Sequence, residues 1–261
     1  MLKYLRLYRA FLVASLKADL EYRMNFLSRI VTDIFWYAAQ IITFEALFLH
    51  TEKLGTWGLP ETRVFLGMLF VVDALYMIIL SENLDKISDR VRKGEMDLLL
   101  AKPVNSQFMM SCQRANTAIT GNLLLGSAWL IWSLAQLPDF NWFRLLWLLI
   151  LIPSGLIALY GIRFMISTTA VIFTRSENLQ YMWYQLYRLG MRPDSIYSPW
   201  LKFVVITVLP VGLIASVPSR FLLEPPDFYL LPLTLFVSFS FLWMSRRFWN
   251  YALKFYSSAS S

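Results

Sequence analysis

The chain has 261 residues, of which 57% are hydrophobic and only 16% are charged, whereas soluble domains carry about 25% charged residues. This composition excludes an ordinary soluble domain and provides several apolar spans of roughly 20 residues each. The net charge of +7 does not by itself indicate nucleic-acid binding, because in a membrane protein the position of the cations matters first. We therefore expect an all-α integral membrane protein with no nucleic-acid partner.

The N-terminal segment alternates cations with apolar side chains. The apolar positions recur every three or four residues at Leu5, Tyr8, Leu12 and Leu16. This spacing predicts an amphipathic helix at residues 1–24 that lies in the membrane interface. The alternative is that these residues are simply the start of the first span. The short apolar run is followed by charges rather than by a clear cleavage site, so we interpret the segment as retained.

Six apolar segments follow, each long enough to cross a bilayer as a helix. They lie at about residues 26–49, 64–84, 115–137, 142–173, 200–217 and 228–248. The fourth is longer than a bilayer requires, so it either tilts or projects into the cytosol. We expect residues 1–261 to form a single transmembrane domain.

The positions of the basic residues predict which loops face the cytoplasm. Most of the 24 Lys and Arg residues lie in the N-terminal segment, in the loops after the second and fourth predicted spans, and in the C-terminal tail. The loop after the fourth span contributes Arg175, Arg188, Arg192 and Lys202. The remaining loops carry only Lys53, Arg63, Arg144 and Arg220. This asymmetry predicts that both termini and the two larger loops are cytoplasmic.

Common catalytic and nucleotide-binding motifs are missing from the sequence. No glycine is followed by lysine, so the chain has no P-loop, and HExxH, CxxC and GxSxG are also absent. The single cysteine, Cys112, is typical of a small buried side chain, and the single histidine, His50, of an interfacial residue. The sequence therefore predicts a non-enzymatic protein that binds no cofactor of its own.

The loop after the second predicted span combines many charges with a small apolar face. Residues 82–93 predict a short helix that Gly94 can end, and Pro103 stops any helix that follows. The apolar face of the predicted helix consists of Leu84, Ile87 and Val91. A docking surface for a soluble partner needs such a face, whereas a solvated connector does not. On these residues alone, docking is the favoured interpretation and a plain connector is the alternative.

Three ionisable residues fall inside predicted spans. Asp73 lies near the middle of the second span, Arg163 deep in the fourth, and Glu45 nearer the outer end of the first. A charge at the bilayer centre costs about 2.5–3.5 kcal/mol on insertion scales, so it is expected to face protein or water. We expect Asp73 and Arg163 to form a pair or to line a polar substrate path. The alternative is a pair that only fixes helix packing.

Four segments, in order along the chain, resemble the six-span branch of the ABC-2 type transporter permeases. The first, RKGEMDLLLAKPVN at 92–105, resembles the family's RxGELDxxLxKPxN signature, with Met96 in place of leucine. The second is AVIFTR at 170–175. The third comprises RPDSIYSPWL, TVLPV and VPSR at 192–201, 207–211 and 217–220, and the fourth is YSSAS at 256–260.

The resemblance implies an exporter fold with six transmembrane helices that works together with separate ATPase subunits. Two permeases, either two copies of this chain or one copy and a paralogue, would join two ATPases, and ATP and Mg²⁺ would bind the ATPases. Residues 82–103 would be the coupling region, residues 1–24 an elbow helix, and residues 216–227 a re-entrant segment. The ATPase contacts would come from Arg92, Lys93, Gly94, Glu95, Met96, Asp97, Lys102 and Pro103.

The resemblance therefore favours a permease subunit that moves a lipidic, drug-like or other amphipathic substrate outward, in a bacterial inner membrane. The permease subunit would be surrounded by membrane lipid. A membrane anchor or scaffold that recruits a soluble partner without transport is the alternative, since it would use the same loop.

Overall fold

A computed structural model describes residues 2–21, 23–173 and 177–256. Arg175 and residues 257–261, on which the charge pattern and the resemblance partly rest, lie outside the described residues. The described ranges are mostly helical and contain no strand. The α-helices are α1 (Leu2–Glu21), α2 (Arg23–Phe48), α3 (Leu59–Tyr76), α4 (Glu82–Asp85), α5 (Ile87–Arg92), α6 (Glu95–Leu100), α7 (Ser106–Cys112), α8 (Thr120–Ala135), α9 (Leu148–Phe173), α10 (Glu177–Tyr187), α11 (Pro199–Thr207), α12 (Ser216–Leu223) and α13 (Leu230–Ala252).

Four helical segments of the described chain are long and apolar enough to cross a membrane. They are Ile30–Phe48, Leu59–Arg92, Thr117–Ala135 and Trp142–Phe173. They overlap the first four predicted spans, and the second is longer than predicted because α3 continues through a π-helical turn, Met77–Ser81, into α4 and α5. α13 overlaps the sixth predicted span, but Arg246 and Arg247 near its end lower its mean hydropathy.

The predicted fifth span at 200–217 is wrong, because the chain is not one helix there. α11 ends at Thr207, and a 3₁₀ turn, Pro210–Leu213, follows before α12 begins. Leu209 adopts φ −117° and ψ 75°, outside the helical region. Pro210 has no N–H to donate to a helix and clashes with the preceding turn.

The core of the bundle is α3, which is buried on nearly all sides from Val64 to Ala74. It packs closely on α8 through two glycines. A Cβ atom at Gly67 would lie 2.7 Å from the Cα of Leu130, and one at Gly126 would lie 2.9 Å from the Cβ of Phe70. Small residues at such contacts let helices approach each other closely within a membrane.

Two ends of the bundle are distinguished by their contacts. The loop end comprises residues 49–58, 136–147 and 224–229, and the α6 end comprises α1 and residues 82–116. At the loop end, the Trp57 indole donates a hydrogen bond of 2.8 Å to Glu224. α9 and α13 both start near this end and run side by side, with Ser238 donating to the Ser154 carbonyl at 2.7 Å.

Candidate functional site

The α6 end presents a short helix whose position is set from both sides. α6 begins after Gly94, whose φ of +71° is a conformation that glycine adopts without steric cost. Met96 and Leu99 are buried against the bundle, whereas Leu98 is 73% exposed. α6 is therefore anchored along one face and offers an exposed leucine along the other.

Exposed charged residues and an exposed proline lie close to Leu98 along the chain. The exposed residues among those that the resemblance assigned to coupling are Arg92, Lys93, Glu95, Lys102 and Pro103. Gly94 and Asp97 are half-buried, and Met96 is buried. Five of the eight residues that the resemblance assigned to coupling are thus exposed, and together with Leu98 we call them the α6 surface: Arg92, Lys93, Glu95, Leu98, Lys102 and Pro103.

The apolar face predicted for residues 82–93 packs on the bundle. Leu84 and Ile87 are fully buried and Val91 is nearly so. The predicted single helix is divided into α4 and α5 at Lys86. α5 packs against both α6 and α9, so the α6 surface is joined to the transmembrane helices by direct packing.

α1 lies along the same end of the bundle. Lys3 donates a hydrogen bond of 3.1 Å to the Pro103 carbonyl, and the Tyr4 ring packs edge-on against Phe108 with centroids 4.9 Å apart. Near the other end of α1, Ser15 accepts a hydrogen bond of 3.0 Å from the Ala115 N–H. The predicted elbow segment therefore braces the chain that follows α6.

A polar cluster connects α4 to α9 and α10. Arg163 is fully buried and forms a short ion pair with Asp85. Tyr184 donates a hydrogen bond of 3.1 Å to the same carboxylate. The Arg163 guanidinium also lies 5.5 Å from the centre of the Tyr184 ring, a geometry that favours a cation–π contact. This cluster ties α4, which precedes the α6 surface, to two helices of the bundle.

The predicted pair of Asp73 and Arg163 is wrong. Asp73 is buried and accepts a hydrogen bond of 2.6 Å from Tyr187, whereas Arg163 pairs with Asp85. The reason is geometric, because Arg163 lies on the part of α9 that meets α4, closer to the α6 end than Asp73. The alternative expectation, that these residues line a polar substrate path, stays a prediction.

The third predicted intramembrane charge, Glu45, lies toward the loop end of α2. It pairs with Arg63 through two hydrogen bonds of 2.6 and 2.9 Å. Arg63 also lies 5.6 Å from the centre of the Trp132 ring. The bidentate pair joins α2 to α3 and satisfies both charges.

The segment after α10 lies at the loop end. Ser195 donates a hydrogen bond of 3.0 Å to the Leu54 carbonyl, and a Cβ atom at Gly55 would collide with the Ser195 carbonyl oxygen. Asp194 is buried and pairs with Arg220 at 2.6 Å. Burial raises the pKa of Asp194 above its ordinary value, and the positive charge of Arg220 opposes that shift.

This placement corrects the sequence-based topology. Charge counting placed the whole loop after α9 on the same side as residues 82–116, but its later part, 192–198, contacts the loop end. The chain passes from the end of α9 along α10, where Tyr184 reaches Asp85 and Tyr187 reaches Asp73. α10 and the 3₁₀ turn that follows it therefore run between the two ends of the bundle.

Sequence reasoning missed the partners of the intramembrane charges. Asp85, Tyr184 and Tyr187 were not singled out, because they lie 78 to 114 residues from the groups that they bind. One signal was present: Trp183 and Tyr187 recur at helical spacing in a segment interpreted as a loop, and both are buried. Within the described residues, no three His, Cys, Asp or Glu side chains cluster as a metal site would require.

The long apolar helical segments define a multi-pass helical membrane protein. The family model for ABC-2 family transporter proteins matches residues 34–260, and the chain belongs to that family. It is therefore a membrane subunit of an ABC transporter, of a kind that generally has no catalytic site and that partners with an ATPase subunit. Neither the curated proteins nor the solved structures include a match to the chain.

Proposed function

We propose that this chain is the permease subunit of an ATP-driven exporter and that its ATPase partner docks on the α6 surface. The observation that carries the proposal is the exposure of Leu98 among charges on a helix whose opposite face is buried. A single exposed leucine is common on protein surfaces, so its weight here comes from the charged residues exposed beside it and from the buried face that fixes α6 in place. The membership of the chain in the ABC-2 family supports an ATPase as the partner.

In the proposed topology the chain crosses the membrane six times and both termini are cytoplasmic. The crossings are α2, α3 with its extension, α8, α9, α10 with the following 3₁₀ turn, and α13. α1 is the elbow helix at the cytoplasmic face. α11 and α12 form a re-entrant pair at the outer face, which extends the re-entrant segment expected at 216–227. Two permeases, identical or paralogous, associate with two ATPases.

The proposed mechanism moves helices rather than making or breaking bonds in this chain. ATP and Mg²⁺ bind the partner, and closure of the ATPase pair displaces α6. α5 and α4 transmit that displacement, because α5 packs on α9 and Asp85 binds both Arg163 and Tyr184. The bundle then switches between two packed arrangements, and the substrate, a lipidic, drug-like or other amphipathic molecule, moves outward.

The test is to purify the tagged chain in mild detergent from the membrane of its native host, which we expect to be a bacterial inner membrane. The purified sample is then examined for a co-purified ATPase. The variant Glu95→Lys/Leu98→Lys changes two exposed residues of the α6 surface. Its matched control is Leu49→Lys/Glu52→Lys, which makes the same two replacements at exposed positions of the loop end. We expect wild type and control to retain an ATPase and the α6 variant to lose it.

The outcome also separates the transporter from a membrane anchor that recruits a soluble partner without transport. An anchor would retain a partner that hydrolyses no ATP, and the α6 variant would lose that partner. Wild-type protein that is folded, yet retains no ATPase, contradicts the transporter proposal. The paired charges inside the bundle favour the transporter, because an anchor does not require them.

A further inference from the structure

The helix α10 is amphipathic although it lies within the bundle. Trp183 and Tyr187 are buried on one face. The opposite face is exposed and carries Tyr181, Tyr184 and Gln185, and Arg188, the first residue of the following 3₁₀ turn, continues the same three- and four-residue spacing. Arg192 is exposed one turn further along the chain. α10 therefore presents a continuous polar and aromatic stripe with two cations at its end.

The two cations at the end of this stripe line a cavity beside α2. The cavity has a volume of about 590 Å³ and lies between Gln40 and Thr43 of α2 on one side and Arg188 and Arg192 on the other. Gln40 is eight residues and Thr43 five residues from the end of the candidate span Ile30–Phe48, or roughly 12 and 8 Å along a helix. The lining also includes Leu47 and Leu54, so the cavity reaches the loop end, where Arg192 lies. Arg188 lies deeper, because it follows Tyr187, which binds Asp73 within α3.

The surroundings of these arginines indicate whether water, a bound molecule or lipid acyl chains lie against them. Within the described residues no carboxylate pairs with Arg188 or Arg192, and the hydrogen bond recorded for the Arg188 guanidinium goes to Gln185 at 3.4 Å. Unpaired charges at such depth face a water-filled space or a binding partner rather than acyl chains. Gln40 and Thr43 add polar groups beside the arginines, and Phe44, Leu47 and Met191 add apolar surface to the same cavity. The unpaired arginines favour a water-filled space here over acyl chains.

We propose that α10 and α2 line the transport path and that Arg188 and Arg192 bind an anionic group of the transported molecule. This inference rests on the proposed transport function and specifies its substrate class: an amphiphile with a phosphate or carboxylate group. Arginine binds such groups through paired N–H donors. Phe44, Leu47 and Met191, which line the same cavity, supply apolar surface for the rest of the molecule.

The test measures the access and charge preference of a single reporter thiol. Cys112 is the chain's one cysteine, so Cys112→Ser gives a thiol-free background. Thr43→Cys places a thiol at the cavity, and Ile42→Cys places one at the neighbouring exposed position outside the cavity lining. The transporter is reconstituted in nanodiscs of neutral phosphatidylcholine and treated with anionic ethylsulfonate or cationic trimethylammonium methanethiosulfonate reagents.

We expect the thiol at position 43 to react and the thiol at position 42 to stay unmodified, because these reagents require water. The anionic reagent should react faster than the cationic one. In the background Arg188→Gln/Arg192→Gln, the ratio of anionic to cationic rates should fall at least about tenfold, since two unit charges near the thiol act on the two reagents in opposite directions.

A second measurement uses competitors of equal chain length. Dodecyl phosphate should protect the thiol at position 43, and neutral dodecyl maltoside should not. Protection should disappear in the Arg188→Gln/Arg192→Gln background. A thiol at position 43 as inert as that at position 42 overturns the aqueous path. A reactive thiol with no charge preference, or equal protection by both amphiphiles, overturns the anionic substrate class. If either result is negative, ATPase co-purification from the same preparations shows whether the proposed transport function still holds.

Discussion

Burial makes the Asp85–Arg163 pair asymmetric at the residue scale. The Arg163 side chain is fully buried, whereas that of Asp85 is one-third exposed. Asp85→Asn leaves a buried guanidinium without its counter-charge, which costs about 3 kcal/mol, the lower end of the range for a buried pair, because the lost carboxylate is partly solvated. Arg163→Met removes the buried charge and leaves a carboxylate that water and Tyr184 can satisfy.

We therefore expect Asp85→Asn to lower the melting temperature of the detergent-purified protein more than Arg163→Met does. Thermal unfolding followed by circular dichroism measures both. Glu45→Gln serves as the control, because its pair with Arg63 is about one-third exposed on both sides and its loss should have a smaller effect. Equal melting temperatures for the Asp85 and Arg163 variants would falsify this account.

The reactivity of Cys112 also follows from its surroundings. Burial raises the pKa of this thiol to about 11, and only the thiolate is nucleophilic. Between pH 7 and 10 its rate of reaction with N-ethylmaleimide should rise about tenfold per pH unit, because the thiolate fraction does so below the pKa. Intact-protein mass spectrometry over time measures the rate. The same thiol in unfolded protein should level off near pH 8.5, and a native rate that levels off there contradicts the effect of burial.

At this scale, the sequence predicted that two charged residues, Asp73 and Arg163, are buried. It did not predict which residues they bind. The depth of Asp73 and Arg163 along their spans showed that each needs a polar or charged partner. Which residue is the partner depends on which turns of distant helices meet. Asp73 binds Tyr187, 114 residues away, and no spacing rule connects the two.

At the scale of elements, the contact of α3 with α8 depends on two glycines. Gly67 and Gly126 have no room for a Cβ atom, whereas a Cβ at Gly121, also in α8, would lie 3.8 Å from the nearest side chain, that of Ile30. An added methyl group at a close contact forces the helices apart, and overpacking of this kind costs about 1–3 kcal/mol. At an open helical position, alanine in place of glycine is favourable by up to about 1 kcal/mol.

We expect Gly67→Ala and Gly126→Ala to lower the melting temperature and Gly121→Ala to leave it unchanged or raise it. The same thermal unfolding assay measures all three. If Gly121→Ala were as harmful as the other two, intrinsic helix effects rather than packing between α3 and α8 would be responsible.

Elements with long apolar runs could be predicted, and interrupted elements could not. α2, α3, α8 and α9 follow from continuous hydropathy, and the short helix before Gly94 follows from its apolar spacing. α10 was missed because it has only 11 residues and one polar face. The arginines that follow it, Arg188 and Arg192, entered the charge count as if they were cytoplasmic. A helix that lines a polar path is less apolar than one in lipid, so hydropathy alone does not detect it.

At the scale of the whole molecule, the contacts define a direction from the α6 surface to the loop end. The Asp85 cluster joins α4, α9 and α10, and α10 leads past Asp73 to the Asp194–Arg220 pair. A displacement at α6 therefore has a packed route to the loop end. This route requires residues 192–198 and residues 92–98 to lie on opposite sides of the membrane.

That requirement is directly measurable. In the Cys112→Ser background, Ser198→Cys and Lys93→Cys place thiols at exposed positions of the two ends. We expect a membrane-impermeant maleimide to label the thiol at position 198 in intact cells and the thiol at position 93 only after permeabilisation. The contact of Ser195 with Leu54 is the reason, because it fixes this segment beside the loop between α2 and α3. Labelling of both positions only after permeabilisation would restore the topology that charge counting gave and would remove α10 from the set of crossing segments.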